Sequence, residues 1–446
     1  MIETARKSNR TFSAMLASIV EQGQRFVAPK PPHEPLIDRC KLLVSTRGEA
    51  SGTALARDIL DSYDTLDDDG KRAFFTGLAD EFDTDPDRIS QAALAYADSL
   101  DTKDYRRLLE LSEPGRRELL RRLNQAPDGT AALVRMRADL FKYIKETPAL
   151  ARIDLDFELL LKAWFNRGFL DMVPISWNTP ANLLEKISRY EAVHEIDSWE
   201  ELRRRVEPND RRCYAFFHPR MPDEPLIFVQ VALTKEVPGN ISDLLAADRE
   251  AVPPSKASTA VFYSISNCQV GLRGISFGNF LIKQVANELS AELPQIKTFV
   301  TLSPVPGFRR WVESQRADNP LAQQVADMTT DDNWSENPTV LREIEPIMSA
   351  LAGEYFLMAK RRNNAPYDPV ARFHLGNGAI LDRVNFAGDI SARGLGNAYG
   401  MMVNYRYDLG RVEENHEAFA NDGTIVAAKA VTDWAKQASK RKGTTG

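Results

Sequence analysis

Two residues in the second half of the chain have the side chains and settings that general acid–base chemistry needs. The imidazole of His374 has an ordinary pKa near neutrality, so it can give or take a proton at working pH. Ser303 follows an apolar run that predicts a strand, and its hydroxyl can donate or accept a hydrogen bond there. Both residues also suit ordinary roles. A serine before a proline commonly makes a turn, and a histidine between Phe373 and Leu375 is commonly a half-buried group with its partners satisfied.

The stretch before Ser303 predicts a strand, a glycine-rich turn, a helix and a second strand. Residues 260–265 are apolar and rich in aromatic and β-branched side chains, which indicates a buried strand. Glycines follow at positions 271, 274 and 278. We expect the helix over residues 275–289 and the second strand over 298–302. That strand should stop at Ser303-Pro304, because proline cannot donate to a sheet ladder.

This order of elements can bind a phosphate group. Glycines let the backbone approach a ligand closely, and the N–H groups and dipole of a helix start favour an anion there. The glycine spacing matches neither a Walker loop nor a G-x-G-x-x-G fingerprint. The alternative is an ordinary strand-to-helix turn in which glycine relieves crowding.

Composition limits the possible functions of the chain. Its 446 residues and hydrophobic fraction of 43% predict two or three domains with sizeable cores. The formal net charge of −6 argues against a general nucleic-acid binder, which would be expected to show a basic balance or stripe. No apolar run is long enough for a membrane-spanning helix, and the first residues lack an apolar signal core. We therefore expect a cytoplasmic protein without a membrane partner.

The cysteines predict neither a disulfide framework nor a metal site. Cys40, Cys213 and Cys268 lie far apart and form no C-x-x-C pair or Cys/His metal spacing. We expect each to be a free thiol in a reducing compartment. Cys213 and Cys268 lie in apolar runs, where a small buried hydrophobic side chain is the default.

The hydrophobic pattern divides the chain into a helical part and a part with strands. Residues 1–30 are expected to form one helix, and residues 47–190 show a helical pattern throughout, which predicts a helical bundle. At Arg211 the pattern changes to β-like runs at 213–217 and 226–233. The predicted fold class is α+β, with a helical scaffold and oligomerisation domain over 1–190 and a catalytic α/β domain over 191–446.

Several segments resemble the malonyl-CoA decarboxylase family. They are Gln269-x-Gly271-Leu272-x-Gly274, the run 278–283, Leu302-Ser303-Pro304-x-Pro306-Gly307-Phe308, the run 369–379 and Val403-Asn404-Tyr405-Arg406-Tyr407. In that family these segments belong to a catalytic domain with an acetyltransferase-like (GNAT) fold. The resemblance therefore implies a GNAT-like α/β domain after the helical bundle.

The resemblance also implies that the glycine turn cradles the pyrophosphate of coenzyme A. The residues assigned to coenzyme A are Gln269, Gly271, Arg273, Gly274, Ile275, Ser276, Phe277, Gly278 and Asn279. Mammalian members carry a glutamate at the position of Ser276, so any role of that glutamate is open in this chain.

The catalytic serine and histidine of the family fall on Ser303 and His374, which implies conversion of malonyl-CoA to acetyl-CoA and carbon dioxide. His374 would give the proton to C2, directly or through Ser303, while Ser303 would also position the malonyl carboxylate. Asn404 and Tyr405 are expected to line the pocket, with packing or strand hydrogen bonding as the alternative. The thioester is its own electron sink, so neither a metal nor a cofactor is expected. The family implies a homo-oligomer, a dimer or a tetramer.

Three other functions compete with this one. A GNAT-type N-acyltransferase would use the same fold and an acyl-CoA, but would need a groove for an amine acceptor. A non-catalytic sensor would bind malonyl-CoA without turnover and use the helical half to engage partners. A serine hydrolase is less favoured, because Ser303 lacks the G-x-S-x-G elbow.

Overall fold

Helices make up the first part of the chain and a mixed sheet organises the second, in a computed structural model that describes residues 35–46, 48–275, 281–362 and 364–443. The chain forms two compact units. The first unit comprises the chain up to Leu170 together with His218–Glu224 and Gln269–Ser276. The remaining segments form the second unit. The helix expected within residues 1–30 lies outside the described residues.

The first unit is a helical bundle, as predicted. Its helices are α1 (Leu36–Ser45), α2 (Glu49–Asp64), α3 (Asp68–Glu81), α4 (Pro86–Ser99), α5 (Thr102–Ser112), α6 (Gly115–Leu123), α7 (Gly129–Tyr143) and α8 (Ala151–Trp164). The carboxylates of Asp67, Asp85 and Asp101 accept backbone N–H groups at the starts of α3, α4 and α5, so these helices begin at capped positions. Apolar stripes such as Phe75 on α3 and Leu133 on α7 are fully buried.

Helices α4 and α5 form a hairpin with little buried surface. Ala92 is the one buried residue of α4, and none of α5 is buried among the residues that the structure describes. Leu94, Leu100, Tyr105 and Leu109 are 68%, 73%, 45% and 53% exposed. Four large apolar side chains of the hairpin are therefore exposed.

The second unit contains one sheet, to which eight strands of the described chain belong. The strands are β1 (Asp171–Ile175), β2 (Arg211–Phe217), β3 (Ile227–Thr234), β4 (Thr259–Asn267), β5 (Thr298–Thr301), β6 (Ser303–Pro304), β7 (Ile380–Asn385) and β8 (Met402–Arg406). Strands β1 to β4 pair antiparallel in sequence order, β4 pairs parallel with β5, and β8 pairs antiparallel with β5, β6 and β7.

Helices connect and cover these strands. They are α9 (Ala181–Tyr190), α10 (Trp199–Val206), α11 (Ile241–Leu245), α12 (Leu281–Glu292), α13 (Phe308–Ser314), α14 (Pro320–Met328), α15 (Pro338–Leu357), α16 (Pro369–Gly376), α17 (Ala392–Ala398), α18 (Val412–Asp422) and α19 (Lys429–Gly443). A helical bundle followed by a mixed α/β sheet confirms the predicted fold class. In the part of the chain that the structure describes, no helix combines the length and apolar character needed to cross a membrane.

Strand β1 differs from the sequence prediction, which treated residues 47–190 as helical throughout. Residues 171–175 instead pair with β2 at the end of the sheet order, and the prediction is wrong there. Pro174 is tolerated because an edge strand leaves one side of the backbone without a ladder partner. The continuous N-terminal segment of the first unit accordingly ends at Leu170, whereas the sequence placed the boundary near residue 190.

The strands around the glycine turn agree with the prediction more closely than the helix after it. The strand predicted at 260–265 is the core of β4, and that predicted at 298–302 corresponds to β5. The expected stop at Ser303-Pro304 is wrong in one respect, because these residues form β6 and pair with Val403 and Met402. The described part of α12 runs to Glu292, three residues beyond the predicted end at 289, and Ile275 precedes the helix.

Candidate active site

Strand β6 and helix α16 place Ser303 and His374 in direct contact. The helix begins at Pro369, and the carboxylate of Asp368 caps it by accepting the backbone N–H of Ala371. His374 lies in the last turn, and its Nε2 is 3.2 Å from Oγ of Ser303. Both residues are buried, at 3% and 6% exposure. The structure thus brings together the two side chains singled out from the sequence.

Thr301 determines which way the Ser303 hydroxyl points. Oγ of Ser303 donates to Oγ1 of Thr301 at 2.9 Å, and that same oxygen accepts the backbone N–H of Tyr405 at 3.1 Å. With its one proton directed at Thr301, Ser303 can only accept a hydrogen bond from His374. The proton of the neutral imidazole therefore lies on Nε2, facing Ser303.

The other ring nitrogen of His374 is bound to Tyr407. The Tyr407 hydroxyl lies 2.8 Å from Nδ1, so it donates to this nitrogen when Nε2 carries the proton. Tyr407 was not identified as a site residue from the sequence. A signal existed, because Tyr405 and Tyr407 are two residues apart at the end of β8, a spacing that places side chains on the same face of a strand.

Burial sets the charge of this group of residues. The removal of water lowers the pKa of His374 to about 3, so its imidazole is neutral at physiological pH. Burial also raises the pKa values of Tyr405 and Tyr407 well above their ordinary range, so both phenols keep their protons. The site is thus an uncharged hydrogen-bonded chain in the absence of substrate.

Ser303 and His374 line a cavity where β4 and β5 diverge. The two strands pair only from Thr259 to Phe262, and the backbone N–H of Leu302 still donates to the Phe262 carbonyl at 3.0 Å. Beyond that point the chain pairs with β8 instead. The cavity has a volume of about 250 Å³. Its lining residues are Val193, Phe262, Tyr263, Ile265, Asn267, Ser303, Pro304, Pro369, Val370, Phe373 and His374.

A β-bulge lies at the same place. Gln230 pairs with Ser264 and its neighbour Val231 pairs with Phe262, so Tyr263 is the extra residue of β4. Bulges bend a strand and re-aim its side chains, which is why they occur next to active sites. The bulge and the divergence of β4 from β5 together open the sheet at the cavity.

Asn404 and Tyr405 are not among the lining residues of this cavity. The Asn404 amide donates to the backbone carbonyls of Thr301 and Pro238, at 2.7 and 3.1 Å. The Tyr405 ring stacks on the His374 ring with centroids 4.6 Å apart. Both residues thus make the strand hydrogen bonds and packing contacts that were the alternative to lining the pocket. Their contact with substrate stays a prediction.

The described part of the glycine turn belongs to the first unit and is tied to α7. Arg137 donates to the carbonyls of Gly271 and Arg273, at 2.9 and 3.0 Å. A Cβ added at Gly271 would lie 1.8 Å from the Val134 carbonyl oxygen, so this glycine is required by close backbone packing. Gly274 has a φ of 82°, and open space surrounds the position of its missing side chain.

The structure describes two further residues predicted to bind coenzyme A, Gln269 and Ile275. The Gln269 amide lies 3.4 Å from a carboxylate oxygen of Glu224, and Ile275 is buried. Ser276, Phe277, Gly278 and Asn279 lie outside the described residues.

Cys40, Cys213 and Cys268 form no disulfide in the described structure and all three are buried, which was predicted for Cys213 and Cys268. Burial raises the pKa of Cys40 to about 12 and raises that of Cys213 as well. His218 has Nε2 3.1 Å from the Trp164 carbonyl and accepts the Arg220 N–H at Nδ1. Within the described ranges, no three His, Cys, Asp or Glu side chains are grouped so as to bind a metal ion.

Comparison with known proteins shows similarity over nearly the whole chain. The mitochondrial malonyl-CoA decarboxylase of the goose Anser anser anser is 32% identical over 94% of this chain and 89% of its own length. That of Mus musculus is 31% identical over 95% and 92%. The crystal structure of malonyl-CoA decarboxylase from Rhodopseudomonas palustris is 52% identical with a TM-score of 0.86, covering 89% of this chain and 98% of that one.

A second crystal structure, of malonyl-CoA decarboxylase from Agrobacterium vitis, is 48% identical with a TM-score of 0.86, over 90% of this chain and 99% of that one. The malonyl-CoA decarboxylase N-terminal domain matches residues 82–165. The malonyl-CoA decarboxylase C-terminal domain matches residues 168–445, which include both Ser303 and His374. On these matches the chain belongs to the malonyl-CoA decarboxylase family.

Proposed function

We propose that Ser303 and His374 carry out the decarboxylation of malonyl-CoA to acetyl-CoA and carbon dioxide in this chain. Family membership supplies the reaction, that of a carboxy-lyase. The observation that supports the assignment of residues is the hydrogen bond of 3.2 Å between the two side chains at the wall of the cavity. A cavity of about 250 Å³ suits a short acyl group better than a whole coenzyme.

The reaction makes three demands on the protein. The carboxylate must be oriented so that the breaking C–C bond overlaps the thioester carbonyl, the enolate oxygen needs stabilisation, and C2 needs a proton. Ser303 would orient the carboxylate by turning its hydroxyl proton from Thr301 to a carboxylate oxygen when the substrate binds. Apolar walls, among them Phe262, Ile265 and Val370, exclude water from the carboxylate and favour departure of neutral carbon dioxide.

His374 would deliver the proton from Nε2 to C2, directly or through Ser303. Carbon dioxide leaves without the electron pair of the broken bond, which stays on the enolate and then forms the new C–H bond. As the proton leaves, negative charge would build on the imidazole. The Tyr407 hydroxyl would stabilise this charge by donating a hydrogen bond to Nδ1. Solvent restores the proton once acetyl-CoA departs.

We propose that this chemistry uses neither a metal nor an organic cofactor. The thioester carbonyl accepts the electron pair of the breaking bond, so no other electron sink is needed. Turnover that persists in EDTA would support this part of the proposal, and loss of turnover that added metal restores would contradict it.

The deciding experiment incubates the purified protein with malonyl-CoA and follows acetyl-CoA and carbon dioxide by mass spectrometry. Ser303→Ala and His374→Ala are compared with Ser290→Ala, a serine of α12 that does not line the cavity. We expect stoichiometric acetyl-CoA from wild type and Ser290→Ala, and loss of turnover in the other two. Transfer of the acyl group to an amine would favour an N-acyltransferase, and tight binding without turnover would favour a sensor.

We also propose that the turn from Gln269 to Asn279 binds the pyrophosphate of coenzyme A. The support is the resemblance to the family, together with the exposed guanidinium of Arg273 in this turn. Arg273→Ala should then raise KM for malonyl-CoA by roughly tenfold and leave kcat nearly unchanged, because the contact is made equally in ground and transition states. An unchanged KM would contradict a role for Arg273.

We propose a homo-oligomer, a dimer or a tetramer, assembled through the helical unit. Four large apolar side chains of the α4–α5 hairpin, Leu94, Leu100, Tyr105 and Leu109, are exposed, and such groups mark interaction surfaces. Leu94→Glu with Leu109→Glu should lower the mass measured by light scattering. Leu42→Glu on α1, a side chain 50% exposed, is the matched control. A wild-type monomer would contradict the proposal.

A cytoplasmic location is the last part of the proposal. Three free, buried thiols suit a reducing compartment. Fractionation of the native host, with detection by antibody, would test it. Recovery outside the cytoplasm would contradict it.

A further inference from the structure

A buried hydrogen bond joins helix α15 to the start of α16, the helix that carries His374. The Tyr355 hydroxyl, on α15, donates to Oδ2 of Asp368 at 3.1 Å. Asp368 is 1% exposed and Tyr355 is fully buried. Neither residue lines the cavity, so neither can touch a substrate bound there.

Asp368 fixes the start of the helix that carries His374. Its Oδ1 accepts the N–H of Ala371 at 2.7 Å, which places the carboxylate at the N-cap. His374 follows six residues later, about 9 Å along the helix axis. A helix of this length is stiff, so the position of Asp368 determines where the imidazole lies.

Tyr355 fixes the segment that carries Ser303. Its ring contacts those of Phe308 and Trp311, each with centroids 5.2 Å away. Phe308 follows Ser303 by five residues, and Pro304 and Pro306 lie between them. Proline fixes its backbone angle φ, so the two prolines limit how far the chain between Ser303 and Phe308 can flex.

We propose that Tyr355 and Asp368 are positioning residues, whose hydrogen bond sets the distance between Ser303 and His374 and thereby the rate of proton transfer. The inference rests on the proposed roles of that pair. The bond connects Tyr355, whose ring packs against Phe308, with Asp368 at the N-cap of α16. Loss of the bond would let the two segments drift apart by a fraction of an ångström.

The ionisation of Asp368 should make kcat depend on pH. Burial raises the pKa of its carboxyl to about 6, against the lowering effect of its hydrogen bonds and of Arg372 on the same helix. Tyr355 of α15 and Tyr405 of β8 are the titratable groups that face it from other elements. Both phenols are neutral at pH 6, so protonation in this range falls on Asp368.

Protonation weakens the cap. An ionised carboxylate accepts hydrogen bonds at both oxygens and favours the positive end of the helix dipole, whereas the protonated group loses that charge. We expect kcat to fall as pH drops through about 6. The same decline should be absent in Asp368→Asn, which has no proton to gain there.

The test measures kcat and KM for malonyl-CoA in Tyr355→Phe, Asp368→Asn and Tyr367→Phe. Tyr367 is the matched control, because its ring lies 5.8 Å from that of Tyr355 and its side chain is 40% exposed. We expect kcat to fall roughly tenfold to a hundredfold in the first two variants, with KM within about twofold. Tyr367→Phe should match wild type.

A second readout separates this inference from the reaction itself. The Nε2–H signal of His374 in a ¹H–¹⁵N spectrum reports its hydrogen bond to Ser303 and needs no turnover. We expect this signal to shift or broaden in Tyr355→Phe. If Asp368→Asn does not fold, Tyr355→Phe still tests the inference. It keeps the buried ring and removes only the hydroxyl that donates to Asp368.

Wild-type kcat together with an unshifted His374 signal in Tyr355→Phe would overturn the inference. Absence of decarboxylation in wild type, with the His374 signal still shifted by Tyr355→Phe, would contradict the proposed function and leave the positioning intact.

Discussion

The Tyr407 hydroxyl lies 2.8 Å from Nδ1 of His374, on the opposite side of the imidazole from Ser303. His374 is therefore hydrogen-bonded at both nitrogens, which fixes its tautomer and its ring plane together. The stacked ring of Tyr405, inclined by 25°, limits rotation further. The imidazole is thus oriented before substrate arrives, which is the condition for efficient proton transfer.

Tyr407→Phe tests this orientation. The variant keeps the ring and removes the bond to Nδ1, so we expect kcat to fall roughly tenfold to a hundredfold with a smaller change in KM. Steady-state kinetics on malonyl-CoA measure the effect. Tyr214→Phe on β2, which does not line the cavity, is the matched control. Full activity in Tyr407→Phe would contradict a role for the Tyr407 hydroxyl in orienting the histidine.

Thr301 should matter through its hydroxyl. Thr301→Val removes the acceptor shared by Ser303 and the buried N–H of Tyr405, so we expect a stability loss of about 1–3 kcal/mol and a lower kcat. Thr301→Ser keeps the oxygen and should retain most activity. Urea unfolding and kinetics distinguish the two variants. Equal kcat values for valine and serine at position 301 would contradict the role of the hydroxyl.

The buried histidine predicts how stability changes with pH. The pKa of His374 is about 3 in the folded protein and about 6.5 in the unfolded chain, so the unfolded state binds the extra proton between these values. Stability is therefore lost as pH falls from about 6.5 towards 3, by at most about 1.4 kcal/mol per pH unit for one group. His374→Asn should lessen this loss.

Two other groups act in the same range, which is why the comparison with the variant is needed. Burial lowers the pKa of His194 to about 4, which has the same sign as His374. The raised pKa of Asp368 has the opposite sign, because the folded state then binds the proton more tightly and loses stability as pH rises towards 6. Urea unfolding of wild type and His374→Asn at pH 7, 6 and 5 gives the difference. Parallel curves would contradict the prediction.

Replacement of glycine by alanine should destabilise the protein at Gly271 and stabilise it at Gly396. Gly271→Ala would force a methyl group against the Val134 carbonyl, so we expect a loss of about 1–3 kcal/mol or more. Gly396→Ala on α17 meets nothing within 4 Å and should stabilise the protein by about 0.5–1 kcal/mol, since alanine favours helix. Thermal unfolding compares them. A neutral Gly271→Ala would mean that α7 and the turn can move apart at low cost.

The sequence by itself determined those helices and strands that have a clear hydrophobic pattern along the chain. The continuous apolar composition of 260–265 and 298–302 predicted β4 and β5, because a buried strand must present apolar side chains to both faces of the sheet. Helical periodicity predicted the first unit. The resemblance of short motifs to one family also identified Ser303 and His374. The short strand β1 was missed, since five residues with a proline carry little periodic signal.

Only the tertiary structure decided which side chains meet. Ser303 and His374 are 71 residues apart in the chain, and His374 and Tyr407 are 33 apart, so no local pattern encodes their contact. Asn404 donates to the backbone carbonyls of Pro238 and Thr301, acceptors that only the folded chain brings within its reach. Burial, and with it the pKa of His374, arises from elements folded around the imidazole. Local sequence specifies helices and strands, whereas hydrogen-bond geometry and desolvation exist only after distant segments pack.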